Sequence, residues 1–157
     1  MIRKIKSIII ILPMLALLSC GFKPINEKNS RLIYLNKVNI SGEKRISYTL
    51  KNNILIISNK DSKNKYDANI QVQKQKNTKI KDKTGKVTRY DMAITVNLEL
   101  ISRTNNNKIS RIFIRNGDFD VASIYSETIN NENNTIKNIV QQLSEDITNF
   151  ITLTMRK

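Results

Sequence analysis

The chain predicts an α+β fold: a two-layer sandwich in the order β-α-β-β-β-α, with a four-stranded, largely antiparallel sheet and two helices on one face. Three observations carry this. Tyr90, Met92, Ile94, Val96, Leu98 and Leu100 form the longest apolar alternation at period two. Ile46, Leu50, Ile54 and Ile57, and later Ile136, Val140, Leu143 and Ile147, recur at helical spacing. Short polar turns, Lys83-Thr84-Gly85-Lys86 and Arg103-Thr104-Asn105-Asn106-Asn107, separate the later strands. Strands joined this way form an antiparallel meander, and two helices with one apolar stripe each can bury those stripes against one face of it.

The elements follow in order. Leu32, Tyr34, Val38 and Ile40 share one face of a first strand, which Ser41-Gly42 ends. Ser41 suits the N-cap of a helix that starts near Glu43. The end of that helix is ambiguous, because Ile54-Leu55-Ile56-Ile57 also suits a strand, and 59–65 is a polar loop. Tyr66, Ala68, Ile70 and Val72 point inward from a second strand, and the basic run from Lys74 to Arg89 then spans a hairpin. Lys108 to Val121 is a fourth strand of imperfect alternation, with Gly117 marking a bulge. Ile136, Val140, Leu143, Ile147, Phe150 or Ile151, and Thr154 make the stripe of a C-terminal helix. The face away from the helices carries Asn69, Gln71, Gln73, Thr95, Asn97 and Glu99 and is polar.

Residues 1–19 read as a lipoprotein signal peptide, 20–30 as a lipidated tether and 31–157 as a single α/β domain, large enough to bury one core without staples. Arg3, Lys4 and Lys6 precede an apolar run from Ile8 to Leu18 that is too short to span a bilayer. Cys20, the only cysteine, follows Leu17-Leu18-Ser19 as in a lipobox, where the thiol takes diacylglycerol and the freed amine an N-acyl chain. The alternatives are an ordinary signal peptide ending near a cysteine, or a retained membrane anchor. Two or three acyl chains, at about 0.8 kcal/mol per buried methylene, hold a protein on a membrane almost permanently. Gly21 stands where an aspartate would retain a proteobacterial lipoprotein in the inner membrane, so the expected address is the periplasmic side of an outer membrane.

The composition argues against an enzyme. There is no histidine, and lipidation consumes the one thiol, so the commonest general base and the commonest transition-metal ligands are missing. No Gly-rich phosphate loop follows a strand and no Gly-x-Ser-x-Gly elbow occurs; Glu145-Asp146 reads as a solvated helix face. No metal or cofactor is expected beyond the covalent lipid on Cys20. The formal charge of +14 falls to +11 without Arg3, Lys4 and Lys6. Residues 20–89 hold 17 basic and 5 acidic side chains, whereas residues 90–157 hold 7 and 8, so the excess lies in one half. A basic surface attracts polyanions. The expected anchor argues against nucleic acid, because the polyanion abundant in the periplasm is phosphorylated lipid, notably lipopolysaccharide. Genome composition explains the preference for Lys and Asn, but less well why one half is basic and the other neutral.

Cys20-Gly21-Phe22-Lys23-Pro24 resembles the Cys-Gly-Phe-basic-Pro start of the outer-membrane lipopolysaccharide-assembly lipoproteins, the LptE family, and especially its alphaproteobacterial branch. Arg89-Tyr90, Gly117-Asp118-Phe119, Ser123-Ile124-Tyr125 and Leu143-Ser144-Glu145-Asp146-Ile147 continue the resemblance at lower specificity. The lysine-heavy hairpin departs from it. The resemblance implies a sandwich of two helices and four strands that plugs and helps assemble the lipopolysaccharide-assembly β-barrel (LptD-like). It also implies that basic residues on the sheet bind lipopolysaccharide on its way to the cell surface. Lys74, Lys76, Arg89, Arg111 and Arg115 are the strand-borne basic candidates. An auxiliary lipoprotein of a periplasmic phospholipid transporter of the ABC type is the alternative, though such proteins lack the Cys-Gly-Phe-basic-Pro start.

Overall fold

A computed structural model describes residues 33–155. The signal segment, Cys20, the tether, the Cys20–Pro24 start and Leu32 lie outside these residues. The order is β1 (Tyr34–Gly42), α1 (Lys44–Leu55), β2 (Lys65–Lys81), β3 (Val87–Ser102), β4 (Lys108–Asp120) and α2 (Tyr125–Thr154). The strands lie side by side in sequence order in one sheet. β1 runs parallel to β2, so α1 is the crossover that parallel pairing requires. The β2–β3 and β3–β4 pairs are antiparallel, as strands joined by short turns must be. Both helices cover one face and bury Ile46, Leu50, Ile54, Leu143, Ile147 and Ile151 against Ile70, Ile94, Leu98 and Leu100. The expected fold class is the one found.

Several details differ from expectation, each for a local reason. In β1, Leu35 is buried and Tyr34 only half-buried, and the register with β2 shifts between Leu35 and Lys37. The extra residue, Asn36, restores Val38 and Ile40 to the core side; strict alternation cannot register such a shift. Ser41 does not cap α1. It stays in β1 opposite Gln71, and Glu43 takes the cap position with no side-chain bond. The corner is built on β2 instead: Gly42 adopts φ +86°, and the Glu43 N–H donates to the Val72 carbonyl at 3.1 Å. Ser47 Oγ donates to the Glu43 carbonyl at 2.7 Å.

The ambiguous Ile54–Ile57 stretch is helical through Leu55 and then turns, leaving Ile56 exposed and Ile57 against the core. Gly117 is not a bulge, since its pairing with Met92 continues the β3–β4 register unbroken. It sits where α2 passes closest to β4; an added Cβ would lie 3.0 Å from Thr135 Cγ2 and 3.2 Å from Ile139 Cδ1. On α2, Ile151 occupies the buried stripe, while Phe150 meets Phe113 edge-on at 5.7 Å.

α2 also begins well before its apolar stripe. Polar side chains dock its first turns on the segment that leaves β4: Thr128 Oγ1 accepts from the Ala122 N–H at 2.9 Å, and Asn131 Nδ2 donates to the Asp120 carbonyl at 3.1 Å. Farther along, Asn53 Nδ2 of α1 donates to Ser144 Oγ of α2 at 2.9 Å, so the helices touch where α2 carries a small buried residue.

Candidate functional site

The five strand-borne cations do not form one cluster. β2 places Ala68, Ile70 and Val72 toward the helices, and the same alternation carries Lys74 and Lys76 to that side, opposite the core residues Ile94 and Met92. Lys76 Nζ donates to Glu132 of α2 at 2.6 Å and lies 4.4 Å from the Tyr90 ring centroid and 5.0 Å from that of Phe119. Lys74 makes no salt bridge among the described residues and lines a cleft between the helices with Arg45 and Lys137. Arg111 and Arg115 flank the buried Phe113 on β4 and so also face the helical layer. Arg115 grips Asp146 through two bonds of 2.7 and 2.9 Å, and the Arg111 guanidinium lies 4.8 Å from the Phe150 ring centroid. Only Arg89 belongs to the opposite face, where its Nε meets Asp120 at 2.6 Å and a terminal nitrogen meets Asp118 at 3.3 Å.

The open face of the sheet is polar, as its sequence indicates. A row of side chains crosses it at right angles to the strands. Asn39 Nδ2 donates to Asn69 Oδ1 at 2.8 Å, Asn69 Nδ2 donates to Glu99 Oε2 at 2.8 Å, and Lys108 Nζ meets Glu99 Oε1 at 3.2 Å. Asn69 foremost, then Lys108, holds the Glu99 carboxyl below its ordinary range. Beside this row, Ile112 and Ile114 on the edge strand β4 are 64% and 60% exposed. The imperfect alternation of β4 obscures their face in the sequence, although they share the parity of Ser110 and Asn116.

Beyond Gly42↔Val72, β2 and β3 continue as a hairpin with no β1 neighbour. Its turn closes on Asp82, whose Oδ1 accepts from the Thr84 N–H at 2.8 Å, the Thr84 hydroxyl at 2.7 Å and the Lys86 N–H at 3.0 Å. These bonds, the Thr84 hydroxyl first, lower the Asp82 pKa. Lys81 and Lys83 project from this end without a salt bridge among the described residues, while Lys79 reaches Asp118 at 3.2 Å. The expected basic hairpin is therefore real, with its free charge concentrated near the turn.

Glu145-Asp146 does not act as a purely solvated pair, because Asp146 is tied to Arg115, which lowers its pKa. A carboxyl whose pKa is depressed on folding stabilises the fold above its unfolded pKa, and that contribution disappears as pH falls through the folded value. Asp146→Asn should therefore be less stable than the parent at neutral pH, with the gap closing below about pH 4. Denaturant titrations at several pH values measure this; a gap that stays constant down to pH 2 would show that the pair does not couple to folding.

No family model matches the chain, and no curated protein matches its sequence. Solved structures share its fold. A crystal structure of a chain from Caulobacter crescentus assigned as a lipoprotein aligns with a TM-score of 0.59 at 15% identity, over 83% of this chain and 96% of that one. Rare lipoprotein B from Shewanella oneidensis aligns at 0.58 and 12% identity, over 76% and 96%. The solution structure of an uncharacterized lipoprotein B from Nitrosomonas europaea aligns at 0.55 and 13% identity, over 87% and 93%. At these identities the likeness establishes the fold. The high coverage of each neighbour means that the shared unit is nearly the whole of those chains.

Proposed function

We propose that this protein is a non-enzymatic outer-membrane lipoprotein subunit of the lipopolysaccharide translocon, plugging and assisting assembly of the lipopolysaccharide-assembly β-barrel and binding lipopolysaccharide in transit. The observation that carries the reading is a coincidence of two independent lines. The Cys20–Pro24 start resembles that family and implies a sandwich of two helices and four strands; the chain folds as that sandwich, and so do the three lipoprotein structures. The open face suits the role, because a hydrogen-bonding row beside Ile112 and Ile114 can meet the mixed wall of a wide, wet barrel. The lysines near the hairpin turn would meet lipid phosphates by charge-assisted bonds.

Purification of the full chain from its own membranes in mild detergent tests the reading. Recovery of a large β-barrel protein supports it, whereas recovery of a transporter ATPase would move the protein to phospholipid transport. Cys20→Ser should reduce radiolabelled palmitate incorporation to background and remove the protein from the outer-membrane fraction. Correct placement without Cys20 would overturn the anchor.

A further inference from the structure

The helical layer holds a second feature, independent of the reading above. The helices touch at Asn53–Ser144, and toward their other ends they flank a cleft of about 620 Å³ that reaches Lys74 of β2. This size lies within the roughly 300–1,000 Å³ of small-molecule sites. Ile46, Ile136 and Val140 supply its apolar lining. Arg45, Lys74 and Lys137, from three different elements, supply its cations.

The charge balance of this cleft is specific. Two carboxylates also line it, Glu43 and Glu132, but Glu132 is already paired with Lys76 at 2.6 Å. Arg45, Lys74 and Lys137 make no salt bridge among the described residues, whereas Lys76 and Arg115, which also face the helical layer, are each matched to a carboxylate on α2. Three unmatched cations against Glu43 leave an excess of positive charge beside an apolar lining. An anion without an alkyl chain would leave the lining unused, and a neutral chain would leave the cations unused. The volume suits one chain and not a lipid with many.

We propose that the interhelical cleft binds a single-chain anionic amphiphile. The phosphate monoester or carboxylate head lies among Arg45, Lys74 and Lys137, and the alkyl chain runs along Ile46, Ile136 and Val140. Lys74 then serves a ligand on the helical side of the molecule and not on the open sheet face.

The test uses the full chain in phosphatidylcholine nanodiscs, with dodecyl phosphate carrying a terminal diazirine as probe. Photolabelling should map to α1 and α2 peptides around the cleft. It should be competed by dodecyl phosphate and by dodecanoate, but not by dodecanol or inorganic phosphate at equal concentration. Arg45→Ala/Lys74→Ala/Lys137→Ala should weaken labelling about tenfold or more, the effect of losing roughly 1.4 kcal/mol of charge-assisted binding. Arg45→Lys/Lys74→Arg/Lys137→Arg should keep it. Equal labelling of the alanine variant would overturn the proposal, as would competition by dodecanol, which would mean that only the chain is recognised. Equal competition by inorganic phosphate would overturn the amphiphile in favour of a free anion. Matching far-ultraviolet circular dichroism of both variants confirms that the fold is intact; these side chains are exposed and core packing does not depend on them.

Discussion

Gly42→Ala is expected to cost about 4 kcal/mol or more of folding stability, a large share of the roughly 5–15 kcal/mol that holds a domain together. Two effects combine. The φ of +86° is unfavourable for any residue with a Cβ, at about 1–2 kcal/mol. In addition, the added carbon would stand 1.9 Å from the Val72 carbonyl oxygen, which is backbone and cannot rotate away. That carbonyl also accepts the Glu43 N–H, so relieving the clash would break the bond that turns β1 into α1. Gly85 is a natural control. Its φ is +85°, yet nothing lies within 4 Å of where its Cβ would be. Gly85→Ala should cost only the conformational part, about 1 kcal/mol. Urea titrations of both variants separate strain from collision, and equal losses would show that the β1–α1 corner yields freely.

The second large effect is expected at Leu143. This side chain of α2 is fully buried in the core shared with Leu50 and Leu98, so Leu143→Ala removes apolar contact and leaves a cavity, at about 3–4 kcal/mol. Leu153, on the same helix, is 63% exposed, and Leu153→Ala should change stability by less than about 0.5 kcal/mol. The chemistry of the two substitutions is identical and only burial differs. A small loss at Leu143 would mean that α2 can slide to fill the gap, which its docking by Thr128 and Asn131 opposes.

How far the candidate site could be read in advance varies from residue to residue. Carrying the alternation of Ala68, Ile70 and Val72 two steps further puts Lys74 and Lys76 on the helical side, so their face was implicit in the chain. What they meet there was not, since Glu132 and Lys137 belong to a helix some fifty residues and more away. Arg115 and Asp146 likewise belong to separate elements, and nothing in either segment marks them as partners. Ile112 and Ile114 were hidden by the noise in β4, where Arg111 and Arg115 occupy positions that apolar residues fill on β3.

The amino-acid order alone settled the kinds of element, their succession, the turns at Gly85 and Asn106, and the layer that each apolar stripe must seek. Those follow from periods of two and 3.6 and from local backbone preference, which act within a few residues. The expectation of a lipid anchor rests on the sequence alone, since Cys20 lies outside the described residues. Three-dimensional packing settled the rest: the shift at Asn36, the corner of Gly42 on Val72, the matching of Lys76 and Arg115 to carboxylates of α2, and the cleft that leaves Arg45, Lys74 and Lys137 unmatched. Each depends on which distant segments come into register. These contacts join residues on separate elements, and no local window of sequence contains both partners.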